Sequence, residues 1–285
     1  MNRRLVISAA PEADPLPNLD VDRGKNGDGV GQWVAHQKHR YLSTYIDAAR
    51  AAARSKYFSE WVFIDPFCGP GRMRQRNETI TRPGGSVVAW RQSQASGTPF
   101  GKVFIGDIDP IKRKACEARL IALGAPVRSF DGPAEKSVLE MVNAVPRGAL
   151  CLVYLDPYNL ALLSYAMIEA LAKLPKVDFV VHFSTMDLIR NVAAELDPER
   201  ARFDEVSPGW RQRLGGVANQ SLAVAFFDDW YKKVKTLNFE FSKAMPLITN
   251  DDQREIYRLV FFARKQLPID LWADVARDPN FGLFD

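Results

Sequence analysis

Cysteine is scarce in this chain. Cys68, Cys116 and Cys151 are the only three among 285 residues, they are widely scattered, and no Cys-x-x-Cys occurs. That excludes a disulfide framework, and the histidines, His36, His39 and His182, show no metal-ligand spacing with the thiols. The cysteines are expected to be buried small hydrophobes in a reducing compartment, and no metal site is expected. Long apolar runs are also missing. Leu5-Val6-Ile7 is too short for a signal-peptide core and nothing approaches a membrane span, so a cytoplasmic protein with no membrane partner is expected. There are no internal repeats or low-complexity tracts. Neither charge dominates: 38 Lys and Arg face 34 Asp and Glu, a net charge of +4. That balance permits a nucleic-acid partner without requiring one.

What is present is an ordinary globular composition, 47% hydrophobic and 25% charged, over a length that suits one large domain or one domain with an insertion. Residues 1–29 mix Pro11, Pro15, Pro17, Gly24, Gly27 and Gly29 with charged residues, which predicts a flexible N-terminal arm before a domain spanning 30–285. From Gly31 to Arg54, Trp33, Val34, Tyr41, Leu42, Tyr45, Ile46 and Ala49 recur at helical spacing. This helix either packs on a sheet or covers a ligand site with Lys38 and His39 at its edge.

The chain is then organised by Trp61 to Gly71. Trp61 to Ile64 reads as a buried strand, Asp65 ends it, and Gly69 and Gly71 follow with one residue between them. A doubly wound α/β sheet opens its first strand-to-helix turn in this way, with glycines that let a ligand approach the main chain. The polar stretch Arg72 to Pro83 carries Arg72, Arg74, Arg76 and Arg82 and reads as a loop, either solvated or in contact with phosphates. A helix follows from Gly84-Gly85-Ser86, with Ser86 as its N-cap.

Further strands are expected at Lys102 to Asp107, Pro126 to Asp131, Leu150 to Leu155 and Val177 to Ser184, separated by helices at Ile111 to Leu123, Ser137 to Val145 and Leu162 to Leu174. Residues 187–238 read as a helical insertion, and Phe239 to Thr249 with Tyr257 to Lys265 as paired antiparallel strands. Phe226-Phe227 with Trp230-Tyr231 read as core, and His182 as a satisfied core histidine. The four strand-end acids, Asp65, Asp107, Asp131 and Asp156, fall at the edge of a parallel sheet where ligands bind.

This arrangement resembles the class I methyltransferases that use S-adenosyl-L-methionine. Asp65-Pro66-Phe67-Cys68-Gly69-Pro70-Gly71 is similar to their first motif, where the main chain holds the methionine end of the cofactor. Asp107, with Asp109 beside it, matches the ribose-binding acid, and Asp131 with Gly132-Pro133-Ala134 matches the region facing the adenine. Asp156-Pro157-Tyr158 is similar to the Asp-Pro-Pro-Tyr type of fourth motif, which marks methylation of amino groups on bases or proteins; here one proline is followed by Tyr158-Asn159. The resemblance implies a Rossmann-like, mostly parallel seven-stranded sheet with an antiparallel last strand, plus an N-terminal helix and a helical insertion. It implies S-adenosyl-L-methionine as cofactor and Asp156, Pro157 and Tyr158 as the catalytic step. A closer similarity covers nearly the whole chain: Trp33, Lys38, His39 and Tyr45, Gly85-Ser86, Phe183 to Asn191, and the ending Gly282-Leu283-Phe284-Asp285 resemble the three-Cys-motif partner protein family (TcmP). That family is encoded beside a radical-SAM-like protein with a three-cysteine motif, which the resemblance implies as a partner.

Asp156 or the carbonyl of Pro157 can accept a hydrogen bond from an acceptor amine, and Tyr158 can stack on a base. The plainer role for Asp156-Pro157 is to end a strand. Arg72, Arg74, Lys38, Asn159 and Arg190 are the candidate substrate contacts; Asp187, Arg190 and Asn191 can equally form a salt-bridged turn. The expected function is N-methylation of an exocyclic base amine in RNA or DNA. A partner subunit of the three-cysteine-motif protein and a small-molecule methyltransferase are the alternatives.

Overall fold

The computed structural model describes residues 13–250 and 252–277. Its frame is an eight-stranded sheet whose strands follow the apolar runs. They are β1 (Trp61–Asp65), β4 (Lys102–Asp107), β5 (Val127–Asp131), β6 (Leu150–Leu155), β7 (Val177–Phe183), β8 (Glu240–Phe241), β9 (Leu247–Thr249) and β10 (Glu255–Ala263), with β2 (Arg72–Arg74) and β3 (Thr81–Pro83) apart as a hairpin. The order across the sheet is β5-β4-β1-β6-β7-β10-β8, and β9 also pairs with β10. The first five of these are parallel and β10 runs antiparallel to β7, as expected. The single strand expected over Phe239 to Thr249 is broken into β8 and β9. Pro246, just before β9, has no N–H to give to a ladder.

Every residue of β1, β6 and β7 is buried, because both faces of the sheet are covered. Trp61, Phe63, Leu152 and Tyr154 point into one layer, with α1 (His39–Ala53), α2 (Gly85–Ala95), α3 (Pro110–Ala122) and α9 (Gln266–Arg277). Val62, Ile64, Val153 and Phe183 point into the other. That layer holds α4 (Ala134–Ala144), α5 (Tyr165–Leu171), α6 (Thr185–Asn191), α7 (Trp210–Leu214) and α8 (Asn219–Lys235). The helical insertion thus builds core: Trp210, Phe226 and Trp230 are fully buried, and the Trp230 ring lies 4.8 Å from that of Phe183. No helix among the described residues is long and apolar enough to cross a membrane.

Three local expectations change. The segment Arg72 to Pro83 is not an open loop but the β2–β3 hairpin. Residues 13–29, the described part of the expected arm, are tied down rather than loose, as is Val30 after them. Asp22 and Val30 exchange main-chain hydrogen bonds of 2.8–3.0 Å with Arg72, Arg74 and Arg76. Arg119 of α3, fully buried, pairs with Asp14 at 2.6 Å and donates to the carbonyls of Asp20 at 2.7 Å and Pro70 at 2.6 Å. A buried guanidinium needs several acceptors, and this segment supplies them. Residues 1–12 and the ending Gly282 to Asp285 lie outside the described residues. Finally, Ser86 is not the cap of α2; that place belongs to Gly84.

Asp178 in β7 is buried and accepts a hydrogen bond from the Tyr45 hydroxyl at 2.8 Å. Burial pushes its carboxyl up to about 7, against the opposing pull of Tyr45. The folded protein therefore keeps a proton that the unfolded chain releases near 3.8, so stability falls as pH rises from that value to about 7. Asp178→Asn should flatten this decline by up to about 1.4 kcal/mol per pH unit, read as a smaller difference in Tm between pH 5 and pH 8 than in the wild type.

Candidate functional site

The sheet order places the carboxyl ends of β5, β4, β1 and β6 side by side, so Asp131, Asp107, Asp65 and Asp156 form a row along one edge. The turn after β1 is organised by two of them. Asp65 is buried and accepts from the Phe67 amide at 3.0 Å and from the Ser86 hydroxyl at 2.5 Å. Asp107 accepts from the Gly69 amide at 3.0 Å and from the Asp109 amide at 2.9 Å. Ser86 thus anchors the end of β1 instead of capping its own helix. Burial raises the Asp65 carboxyl to about 7, although Ser86 and the Phe67 amide pull it down, and the nearby Asp156 and Asp107 charges add to the rise. Burial also raises Asp107, with its two amide bonds opposing.

The two glycines do different work. Gly71 has φ +76, and a Cβ there would stand 3.1 Å from the Cα of Cys116 in α3. Gly69 has φ +55, and a Cβ there would have nothing within 4 Å. Gly71 is needed for close packing, whereas Gly69 leaves open space above its main chain. Gly71→Ala should cost stability by about 1–3 kcal/mol from backbone strain, with the clash added. Gly69→Ala should cost less stability and instead block whatever occupies that space. Thermal denaturation and ligand titration on the pair separate the two effects.

Other candidates from the sequence are placed elsewhere. Asp109 is the N-cap of α3, accepting from Ile111 at 2.9 Å and Lys112 at 3.4 Å, so its carboxylate serves the helix. Asp131 is paired with Arg113 on α3 and exposes 85% of its side chain. Ala134 begins α4. Arg72 is buried, and its guanidinium bonds the Thr81 carbonyl at 2.9 Å and the Thr81 hydroxyl; it holds the hairpin rather than a substrate. Arg74 donates to the Gly27 carbonyl at 2.8 Å and lines a groove of about 360 Å³ beside the N-terminal segment. Arg190 is exposed on α6. Its neighbour Asp187 instead bonds Asn191 at 2.8 Å, Arg202 at 3.2 Å and the Leu160 amide at 3.0 Å, which holds the chain after β6 in place.

The end of β6 carries the densest polar cluster. Lys38 Nζ lies 2.6 Å from Asp156 Oδ1, and the lysine side chain is only 6% exposed against 21% for the aspartate. Burial alone would raise Asp156, but the Lys38 ammonium outweighs it and holds the carboxyl down at about 2. The other oxygen, Oδ2, has a long contact of 3.4 Å from the Tyr154 hydroxyl. His182 lies fully buried with Nδ1 3.8 Å from Asp156, and neither of its ring nitrogens makes a hydrogen bond within the protein. It is a core histidine, but not a satisfied one, and burial lowers it to about 3, leaving it neutral. His39 is likewise buried and lowered by burial to about 3. Pro157 is buried, Asn159 is half-buried with its carbonyl oxygen unpaired within the protein, and Tyr158 stands 67% exposed at the rim.

Sequence reasoning missed Ile108. It follows Asp107 directly and is 71% exposed, an apolar side chain at the mouth of the turn. Its signal was available: an isoleucine between two acids at a strand end has no core to enter. It also missed that Lys38 lies on a π-helical turn (Val34–Lys38) ahead of α1. Gln37 clamps that turn to β9, donating to the Thr249 carbonyl at 3.2 Å and accepting from the Thr249 amide at 3.3 Å.

No family model matches the chain, and no curated protein matches it. Solved structures do match it. A protein from Legionella pneumophila is 11% identical, with a TM-score of 0.48 over 87% of this chain and 92% of its own. A candidate RNA methyltransferase from Pyrococcus horikoshii is 10% identical, with a TM-score of 0.41 over 87% of this chain and 92% of its own. A geranyl diphosphate methyltransferase in complex with its diphosphate and sinefungin is 11% identical, with a TM-score of 0.41 over 81% of this chain and 79% of its own. At these identities the likeness is one of fold.

Proposed function

We propose that this chain is an S-adenosyl-L-methionine-dependent N-methyltransferase whose acceptor is an exocyclic base amine in RNA or DNA. The observation that carries the reading is the juxtaposition, on one sheet edge, of an open glycine turn with an Asp-Pro-Tyr step. The residues fit the cofactor. Gly69 leaves space above its amide, Asp107 keeps lone pairs beyond the two amides it binds, and Ile108 offers an apolar face. Asp107 would take the ribose hydroxyls and Ile108 one face of the adenine with Ala134 at its edge, while the buried Asp65, both oxygens engaged, would act on the ammonium of the methionine end through its charge rather than by contact. When bound, the cofactor supplies an electrophilic methyl carbon on a sulfonium.

The chain's own part is positioning. A base amine is a weak nucleophile because its lone pair is delocalised into the ring. Asp156 Oδ2 accepts one of its N–H bonds and orients the nitrogen, while Tyr158 stacks on the ring. Asp156 does not keep the proton: a carboxyl held at about 2 is too weak a base, so the proton leaves to water after the methyl is joined. A base within a duplex must be flipped out to reach this depth.

Incubation with labelled cofactor and separate pools of RNA, DNA, protein and small metabolites tests the reading. Label is expected on base amines of a nucleic acid, with binding that weakens steeply as salt is added. Label only in small molecules would replace the acceptor class. Folded protein that neither binds S-adenosylhomocysteine nor transfers label would favour a partner subunit acting with a three-cysteine-motif protein.

Cofactor affinity should also depend on pH. Asp65, facing Ser86, the Phe67 amide, Asp107 and Asp156, titrates at about 7. Its anionic form is the one that attracts an ammonium, so affinity for S-adenosylhomocysteine should fall below about pH 7, approaching tenfold per unit. Asp65→Asn should abolish that slope in a calorimetric titration across pH 5.5 to 8.

A further inference from the structure

Asp156 is held by more than a salt bridge. The Lys38 ammonium sits 5.4 Å from the ring centre of Trp33 and 5.0 Å from that of Tyr257, and those two rings lie 5.4 Å apart. Two aromatic faces and a carboxylate surrounding one cation make an ammonium-binding box. Its occupant comes from the chain itself. The arrangement is expensive if its only purpose is stability. A lysine buried to this depth loses most of its hydration, and an apolar pair of similar volume commonly does as well or better. The charge is therefore specified by something other than packing. Its position says what: the box shares its carboxylate with the proposed acceptor pocket, Lys38 taking Oδ1 and leaving Oδ2 with only the long Tyr154 contact.

We propose that Lys38, by filling this box, sets the charge class of the acceptor, excluding alkylammonium groups and leaving the pocket to uncharged amines. With Lys38 in place the carboxylate and the ammonium cancel, so an incoming cation gains no net attraction and meets a like charge at contact distance. An uncharged amine needs only the lone pair at Oδ2, which the pair leaves in place. His182 and His39 beside the pair are neutral, burial keeps the Tyr154 and Tyr257 hydroxyls protonated, and Asp65, whose charge is felt at Asp156, is buried with both oxygens engaged by Ser86 and the Phe67 amide, so none of them offers an incoming cation a contact. In this role Lys38 is a positioning residue acting through Asp156. The part concerning the acceptor rests on the methyltransferase reading; the box itself does not.

The test uses n-butylammonium chloride as probe, titrated into the full chain by calorimetry with sodium chloride as control. Wild type and Lys38→Arg are expected to show no saturable binding. Lys38→Met is expected to gain affinity by about tenfold or more, the scale of a desolvated cation–π contact, and to lose that gain when Tyr257→Leu is added. A merely structural lysine would create no such site. Saturable binding to the wild type, or a folded Lys38→Met that binds no better than wild type, overturns the proposal. Should Lys38→Met fail to fold, its refolding yield in butylammonium is compared with that in sodium chloride: a gain supports the box, and no gain overturns it. S-adenosylhomocysteine titrated in parallel reports on the methyltransferase reading separately, since its failure to bind wild type would sink that reading and leave the butylammonium result standing.

Discussion

Asp107→Ala should reduce affinity for S-adenosylhomocysteine by about a hundredfold or more while leaving the protein folded. The substitution removes two things at once. The ribose hydroxyls lose a charged acceptor, with each such bond contributing about 1.5–3 kcal/mol. The glycine turn loses its brace, because the carboxylate accepts from both Gly69 and Asp109 at the tip of β4. The side chain is half-exposed, so little packing is lost. Calorimetric titration measures the affinity, and circular dichroism melting checks the fold. Unchanged affinity in a folded variant would remove Asp107 from the cofactor site and, with it, the argument that this sheet edge binds a nucleotide-like ligand. Gly69→Ala should lose affinity through the opposite route, by filling the space rather than removing a partner.

Asp156→Ala should all but end methyl transfer, by about a hundredfold or more, which is the scale of deleting one preorganised polar group at a reacting centre. S-adenosylhomocysteine binding should persist, because the residues proposed to hold it lie at the ends of β1 and β4. Stability should drop too, on the order of 2 kcal/mol, since Lys38 is left buried without its counter-charge. The full cost for a buried pair is moderated here by the partial exposure of the aspartate. Adding Lys38→Met to Asp156→Ala separates the two effects. The double variant should regain stability, because no orphaned cation remains, yet stay inactive, because the acceptor for the amine is still missing. Transfer that recovers along with stability would show that Asp156 serves the fold and not the reaction.

The row of strand-end acids proposed to hold the cofactor was largely legible in the sequence. Apolar runs closed by acids at Asp65, Asp107 and Asp156, with glycines 69 and 71 after the first, are local patterns, and a parallel sheet converts local order along the chain into a row along one edge. The proposed acceptor pocket was not. Lys38 and Asp156 stand 118 positions apart, and nothing in the periodicity around either one names the other. Arg72 looked available for a phosphate because its neighbours are polar, yet the hairpin folds it inward onto Thr81. Ser86 sat where a cap should be, but the turn delivers it to Asp65 instead.

By itself, then, the sequence determined the alternation of strands and helices, the buried faces of the sheet, and which strand ends carry acid, since these follow from spacing of a few residues. The tertiary structure alone decided which charges neutralise one another. Hydrogen bonds and ion pairs between side chains depend on distances of a few ångströms between elements remote in the chain. Only the packing of the π-helical turn against β9 and β10 brings an ammonium, two aromatic rings and a carboxylate to one point.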